Sequence, residues 1–321
     1  MIPRQRVILL TDAATDSHAS PGHPERPERR QAAADGVRQG TEAAGARLEV
    51  ASAPPIDNHS LRRVHGAAYL AALDEGEARG GGWLDADTYL VPGSIHAARL
   101  AAGATVSAAR LVAERGAAVA FAVVRPPGHH AAAGWGSGFC LLNNVALAVA
   151  ALREEGMVQR IAIVDWDVHH GNGTQAIFEG DLDLFYASTH QWPFYPGTGA
   201  REESGGTVQN RPLTAGAGDD DFVAAWRDDL LPTIADFGPH AIIISAGYDA
   251  HRSDPLAELD VTEGGFREVA RLVGRTAAGA GLAGVALSLE GGYDLAALRA
   301  SVAASVEGLL QGLGHEGGAG G

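Results

Sequence analysis

The sequence holds a single cysteine, Cys140, among 321 residues. An internal disulfide is excluded, which fits a reducing cytosol. No apolar run approaches the roughly 20 residues a membrane-spanning helix needs. The basic start, Met1 to Arg6, is followed by apolar residues only as far as Leu10, with Asp12 close behind. That pattern reads as a first strand, not a signal peptide. Positive charge is scarce: 24 Lys and Arg face 39 Asp and Glu, a net charge of −15. A nucleic-acid binder usually presents a basic face, so the balance argues against that partner and, with no apolar span, against a membrane. It weakly favours cationic substrates by long-range attraction, and it serves solubility equally well. There is no linker, repeat or break in composition. One domain is expected over 1–313, with a disordered Gly-rich tail over 314–321.

What the chain does have is a series of apolar runs alternating with helical patterns. Strands are expected at Arg4–Leu10, Val158–Asp165, Leu182–Ser188, Ala241–Ala246 and Gly284–Leu289, with a further apolar run at Phe121–Val124. Helices are expected up to about Gly40 after the turn at His23–Arg30, over Leu61–Glu77, over Ser94–Arg115 with Ser94 as cap, and over Asn144–Glu155. Three more follow at Asp220–Phe237 with Pro232 as a break, Thr262–Ala280 and Leu295–Leu313. The strands are continuously apolar, so both faces are buried. The fold class is α/β, with a central, mainly parallel sheet covered by helices on both faces.

Four apolar runs end in residues with chemical capacity. Ile161-Ala-Ile-Val-Asp165 leads into Trp166-Asp-Val-His-His-Gly-Asn172, where Asp167 and His169 aim at one point because alternate side chains share a face. That is a mixed oxygen and nitrogen half-site suited to Zn²⁺ or Fe²⁺. Asp249, after Ala241–Ser245, is the best third ligand. Arg125-Pro-Pro-Gly-His-His130 offers two imidazoles, one as general base and one as electrostatic partner. Asp165 and Asn172 can fix their tautomers. Tyr293, after Glu290-Gly-Gly, can donate to a developing oxyanion. Phe139 and Tyr195 can wall a narrow apolar channel. Cys140, beside Leu141 and Leu142, reads as a buried inert thiol.

Together these segments resemble the zinc-dependent histone deacetylase family, which includes bacterial amidohydrolases and acetylpolyamine amidohydrolases. The resemblance rests on Arg125–His130, Gly138-Phe-Cys140 with Asn143-Asn144, Asp165–Thr174, Ala246–Asp249 with Asp254-Pro255, and Glu290–Tyr293. His23-Pro-Glu-Arg-Pro27 and Val64-His65 also match. The resemblance implies an arginase-deacetylase fold and one Zn²⁺ on Asp167, His169 and Asp249. It also implies K⁺ near Asp165, Asp167, His169, Ser188 and Thr189. His130 then corresponds to the general base and His129 to its partner with Asp165 behind it. Asn172 and Trp166 are similar to the class II pattern. Asp87 corresponds to a rim carboxylate that grips substrate backbone. Gly138, Phe139, Tyr195, Leu256 and Gly291 fall at substrate-channel positions, and Arg26 at an arginine in an internal channel linked to acetate release.

Two other readings share parts of this pattern. An arginase-type ureohydrolase needs a second metal, and its carboxylates are missing where Gly171 and His251 stand. A non-enzymatic acyl-lysine reader would lose Tyr293, His129 or His130, and all three are present. The expected substrate is acetyl-lysine in a peptide or protein. The alternative is a small acetylated amine such as an acetylpolyamine. Leu256 offers no ion pair to a distal ammonium, which favours the former. A homo-oligomer is left open.

Overall fold

The computed structural model describes residues 5–314. Its strands are β1 (Arg6–Leu10), β2 (Arg47–Ala51), β3 (Gly82–Trp83), β4 (Tyr89–Leu90), β5 (Val119–Ala122), β6 (Ile161–Asp165), β7 (Leu184–Gln191), β8 (Val208–Leu213), β9 (Ala241–Ala246) and β10 (Val285–Leu289). Eight of them form one sheet in the order β2-β1-β5-β10-β9-β6-β7-β8. Every neighbouring pair in it is parallel. β3 and β4 make a separate antiparallel hairpin.

The continuous apolar runs are explained by two cores. Val7 and Leu9 enter one and Ile8 and Leu10 the other; Ile242 and Ile244 are likewise separated from Ile243. The helices are α1 (Glu28–Ala43), α2 (Asn58–Leu61), α3 (Ala67–Ala78), α4 (Ser94–Ala113), α5 (Asn144–Glu154), α6 (Asn172–Phe178), α7 (Asp219–Ala224), α8 (Leu231–Phe237), α9 (Glu263–Gly279) and α10 (Leu295–Leu313). Val37 of α1, Val269 of α9 and Val302 of α10 fill the first core. Ala101 of α4 and Val145 of α5 fill the second. No helix among the described residues is long and apolar enough to cross a membrane.

The order of the sheet positions the chemistry. β5, β10, β9 and β6 are consecutive neighbours at its centre, and they are the strands whose ends carry the polar segments. Parallel strands deliver all four ends to one edge, where ligands bind in open α/β sheets.

Several expected elements differ. The helix expected over Leu61–Glu77 is two, α2 and α3, separated by turns at 62–66. His65 in that break is committed elsewhere, as described below. Ser94 does not cap α4; Gly93 does, in a left-handed conformation, while the Ser94 hydroxyl accepts from Val91 N and meets His18 Nδ1. The 220–237 helix runs on, but through a widened π turn at Ala225–Leu230 before Pro232, which has no N–H to give. β2 and β8 went unread because they are edge strands, partly exposed and rich in polar residues. Residues 315–321 of the expected tail lie outside the described residues, and Gly314 closes α10.

His65 is 1% exposed. Its Nε2 accepts from Asn143 N at 3.0 Å, so its Nδ1–H donates to Ala132 O at 3.0 Å. It thereby ties together the two ends of the segment 132–143 that follows His129 and His130. Burial lowers its pKa from 6.5 to about 4. The unfolded chain therefore binds this proton first as pH falls. The stability His65 contributes is full above about 6.5 and is lost as pH drops toward 4, on the order of 3 kcal/mol in all. A His65→Gln variant is expected to melt well below wild type at pH 7, with the gap in Tm narrowing toward pH 4.5. A gap independent of pH would contradict the neutral, buried imidazole.

Candidate active site

The Asp-x-His turn after β6 and the loop after β9 bring Asp167, His169 and Asp249 together, with one ligand atom of each within 4.8 Å of the others. His169 Nδ1 lies 3.2 Å from both Asp167 Oδ1 and Asp249 Oδ2. The second oxygens are fixed from behind: Gly291 N donates to Asp167 Oδ2 at 2.8 Å and Val168 N to Asp249 Oδ1 at 2.9 Å. Asp249 Oδ2 is buried with no hydrogen-bond donor. A β-carbon at Gly291 would run into that same oxygen. Burial opposes charge on Asp167, yet His129 and His169 hold its carboxyl well below the usual range. Burial, then the charge of Asp167, raises Asp249. On His169, burial is outweighed by the two carboxylates, which raise it to about 10. Two carboxylates and one imidazole converging at a buried point, with Asp249 Oδ2 left without a hydrogen bond, fit a divalent cation.

The two adjacent histidines are differentiated by their partners. His129 Nδ1 lies 3.1 Å from Asp165 Oδ2, and His129 Nε2 lies 3.8 Å from Asp167 Oδ1. Burial disfavours its charge, but Asp167 and Asp165 push its pKa up to about 10. Tyr186 donates to the same Asp165 oxygen at 3.0 Å. His130 Nδ1 instead meets the neutral Asn172 Oδ1 at 2.8 Å. Burial, then the charges of His129 and His169, lower His130 well below 6.5. One imidazole is set up to be charged and the other to be a neutral proton acceptor. A β-carbon at Gly138, whose φ is +52°, would collide with the His130 ring.

Behind Tyr293 lies a buried charge network. Arg29 packs on the Tyr293 ring at 4.7 Å and donates to Gly292 O at 2.6 Å and to Glu290 O. Glu25 accepts from Arg29 at 3.0 Å and from Arg125 at 2.5 Å. All three side chains are inaccessible to solvent. Arg26, expected from the resemblance in an internal channel, is instead exposed, and the internal arginine is Arg29, three residues on. Burial pushes the Tyr293 phenol well above 10, so it stays protonated.

A cavity of about 230 Å³ leads down to these groups. Asp87, His129, His130, Gly138, Phe139, Asp167, His169, Tyr195, Leu256, Gly291 and Tyr293 line it. Asp165, Asn172 and Asp249 stand behind the lining. Ser188 is the registered partner of Asp165 across β6 and β7, but its hydroxyl meets His190 Nδ1, and the Thr189 hydroxyl accepts from the Trp226 indole. Cys140 is fully buried. His251 faces Glu263 and lies outside the ligand group. Sequence reasoning missed Phe194, which stacks on His169 at 5.5 Å. It also missed Tyr186 and a role for Glu290, whose Oε2 accepts from Gly128 N and His129 N. Glu290 belongs to the Glu290-Gly-Gly-Tyr293 motif, which could have signalled it, whereas nothing marks Tyr186 within an apolar strand.

Residues 23–309 match the histone deacetylase domain. The chain belongs to the histone deacetylase family. It is 40% identical to a probable deacetylase of Archaeoglobus fulgidus, over 90% of this chain and 81% of that protein. It is 37% identical to the polyamine deacetylase HDAC10 of Homo sapiens, over 89% of this chain and 44% of that protein. The chain spans about half the length of some curated relatives. Among solved structures, the HDA15 HD domain superposes with a TM-score of 0.88 at 37% identity, covering 95% of this chain and 88% of that one. The protein is thus a deacetylase-family enzyme acting on amide bonds, on an arginase-deacetylase fold.

Proposed function

We propose that this deacetylase removes acetyl groups from the ε-amine of lysine in peptides or proteins. The observation that carries the reading is an apolar channel, walled by Phe139, Phe194, Tyr195 and Leu256, ending at His130, Tyr293 and the Asp167–His169–Asp249 group. Such a channel suits the four-carbon stem of lysine and the small acetyl at its tip. Asp167, His169 and Asp249 would hold one Zn²⁺ per chain, with Fe²⁺ the other candidate. When bound, that ion supplies Lewis acidity toward the amide carbonyl and water.

The chain's own residues do the rest. His130, held neutral and oriented through Nδ1 by Asn172, takes a proton from the attacking water and returns it to the leaving amine. His129, charged beside Asp165, stabilises negative charge near the reacting carbonyl. The Tyr293 phenol, kept protonated, donates to the oxyanion as it forms. Gly138 and Gly291 keep the channel floor clear. Asp165, Asp167, His169, Ser188 and Thr189 would hold a K⁺ ion. The β6–β7 register of Asp165 with Ser188 supports that placement, which would rely on oxygens other than the engaged Ser188 and Thr189 hydroxyls.

Asp87 lies at the rim, half-buried, where it can accept N–H donors from a substrate backbone. A free acetylpolyamine has no such amides. Asp87→Ala is therefore expected to lower kcat/KM for acetyl-lysine peptides more than for acetylated amines. Leu256→Glu is expected to move preference toward amines by facing a distal ammonium. Equal losses for both substrates in Asp87→Ala would remove the backbone-gripping role.

A further inference from the structure

The Asp254-Pro255 pair stands five residues beyond Asp249, and the chemistry above leaves it without a role. The backbone of the Gly-Gly-Tyr loop shows what it does. Glu290 N donates to Ala246 O, Gly291 N to Asp167, and Tyr248 N to Gly291 O. Arg29 serves the carbonyls of Glu290 and Gly292. The next two donors along the chain from Gly292, Tyr293 N and Asp294 N, both point at Asp254 Oδ2, at 2.6 and 3.4 Å. Asp254 Oδ1 accepts from Leu256 N at 3.0 Å. Asp254 is 7% exposed, so these N–H groups have no ready substitute in solvent.

One carboxylate thus grips the backbone of the oxyanion donor with one oxygen and of a channel-wall residue with the other. Arg29 pulls on the loop's carbonyls while Asp254 takes the N–H groups that follow. We propose that Asp254 is a positioning residue: it fixes the reach of the Tyr293 phenol over the reacting carbonyl and couples that reach to the Leu256 wall. This rests on the reading of Tyr293 as oxyanion donor. Asp294 begins α10 as its cap, accepting from Ala297 N at 2.8 Å. The loop is therefore anchored beyond Tyr293 as well, and loss of Asp254 displaces the phenol rather than unravelling the helix.

Asp254→Asn preserves size but puts an amide NH₂ where an acceptor was. Either the Tyr293–Asp294 pair or Leu256 loses its partner. A displacement of about 1 Å at a reacting group can cost on the order of 10²-fold in rate. The test is a double-mutant cycle on the metal-loaded enzyme with an acetyl-lysine peptide, combining Asp254→Asn with Tyr293→Phe and recording kcat, KM, metal content and Tm. Tyr293→Phe keeps the ring and removes the donor. If Asp254 acts through the phenol, Asp254→Asn lowers kcat at least tenfold in the Tyr293 enzyme and hardly at all in the Tyr293→Phe enzyme. The same fold-loss in both backgrounds, or no loss in the Tyr293 enzyme, overturns the proposal. Near-normal kcat in Tyr293→Phe alone overturns instead the reading of Tyr293 on which it rests. If Asp254→Asn does not fold, Asp254→Glu carries the same cycle, with the same outcomes deciding.

Discussion

In an Asp249→Ala variant, metal content and amide hydrolysis are expected to fall to background together. Asp249 contributes a buried oxygen, Oδ2, that makes no hydrogen bond and whose near polar neighbour is another member of the ligand group, His169 Nδ1 at 3.2 Å. A carboxylate left in that condition is costly unless a cation neutralises it. Loss of outer partners of a metal ligand typically costs about 10–100-fold in affinity, so loss of a direct ligand among three costs more. The fold is expected to survive, because the backbone after β9 keeps its sheet pairing and only Val168 N loses its acceptor. Metal analysis of dialysed protein with CD and peptide turnover checks this. Full metal occupancy with wild-type activity would remove Asp249 from the ligand set.

The second large effect is expected at His130. General acid–base groups typically contribute about 10²–10⁴-fold, so His130→Ala is expected to lower kcat by that order with metal retained. The assignment rests on the contrast with His129. His130 faces a neutral amide, and burial and the charge of His129 keep it unprotonated, whereas His129 faces two carboxylates that hold it charged against its burial. A neutral imidazole accepts a proton; a charged one does not. Steady-state kinetics of both alanine variants decides the roles. A far larger kcat loss in His129→Ala than in His130→Ala would reverse them.

The strand ends were legible because parallel strands write their buried length as unbroken apolar runs and put their polar residues immediately after. Asp167, His169, Asp249 and the His129–His130 pair could be read in this way. Which histidine is charged did not follow from local spacing; the spacing left both roles open, and only the family resemblance implied the assignment. Asp165 and Asn172 were named as partners, but Tyr186, which shares the Asp165 oxygen, comes from the middle of β7 and carries no pattern of its own. Phe194 escaped because two adjacent aromatics on a loop cannot be ranked without the loop's path, and the structure brings both Phe194 and Tyr195 against His169. Arg29 was passed over for Arg26 because both lie in Pro24-Glu-Arg-Pro-Glu-Arg29. Only the helical turn of α1 makes Arg29 face the core beside Glu25. The edge strands β2 and β8 look like loops in sequence for a plain reason: with a side open to water they need no apolar run.

The most direct test of the central claim is kcat/KM of the zinc-loaded wild-type enzyme on acetyl-lysine peptides and on N-acetylated polyamines, measured side by side. A channel closed by Leu256 and rimmed by Asp87 predicts the higher value for the peptides. A clear preference for the acetylated polyamines would contradict it and make the small-amine reading the correct one.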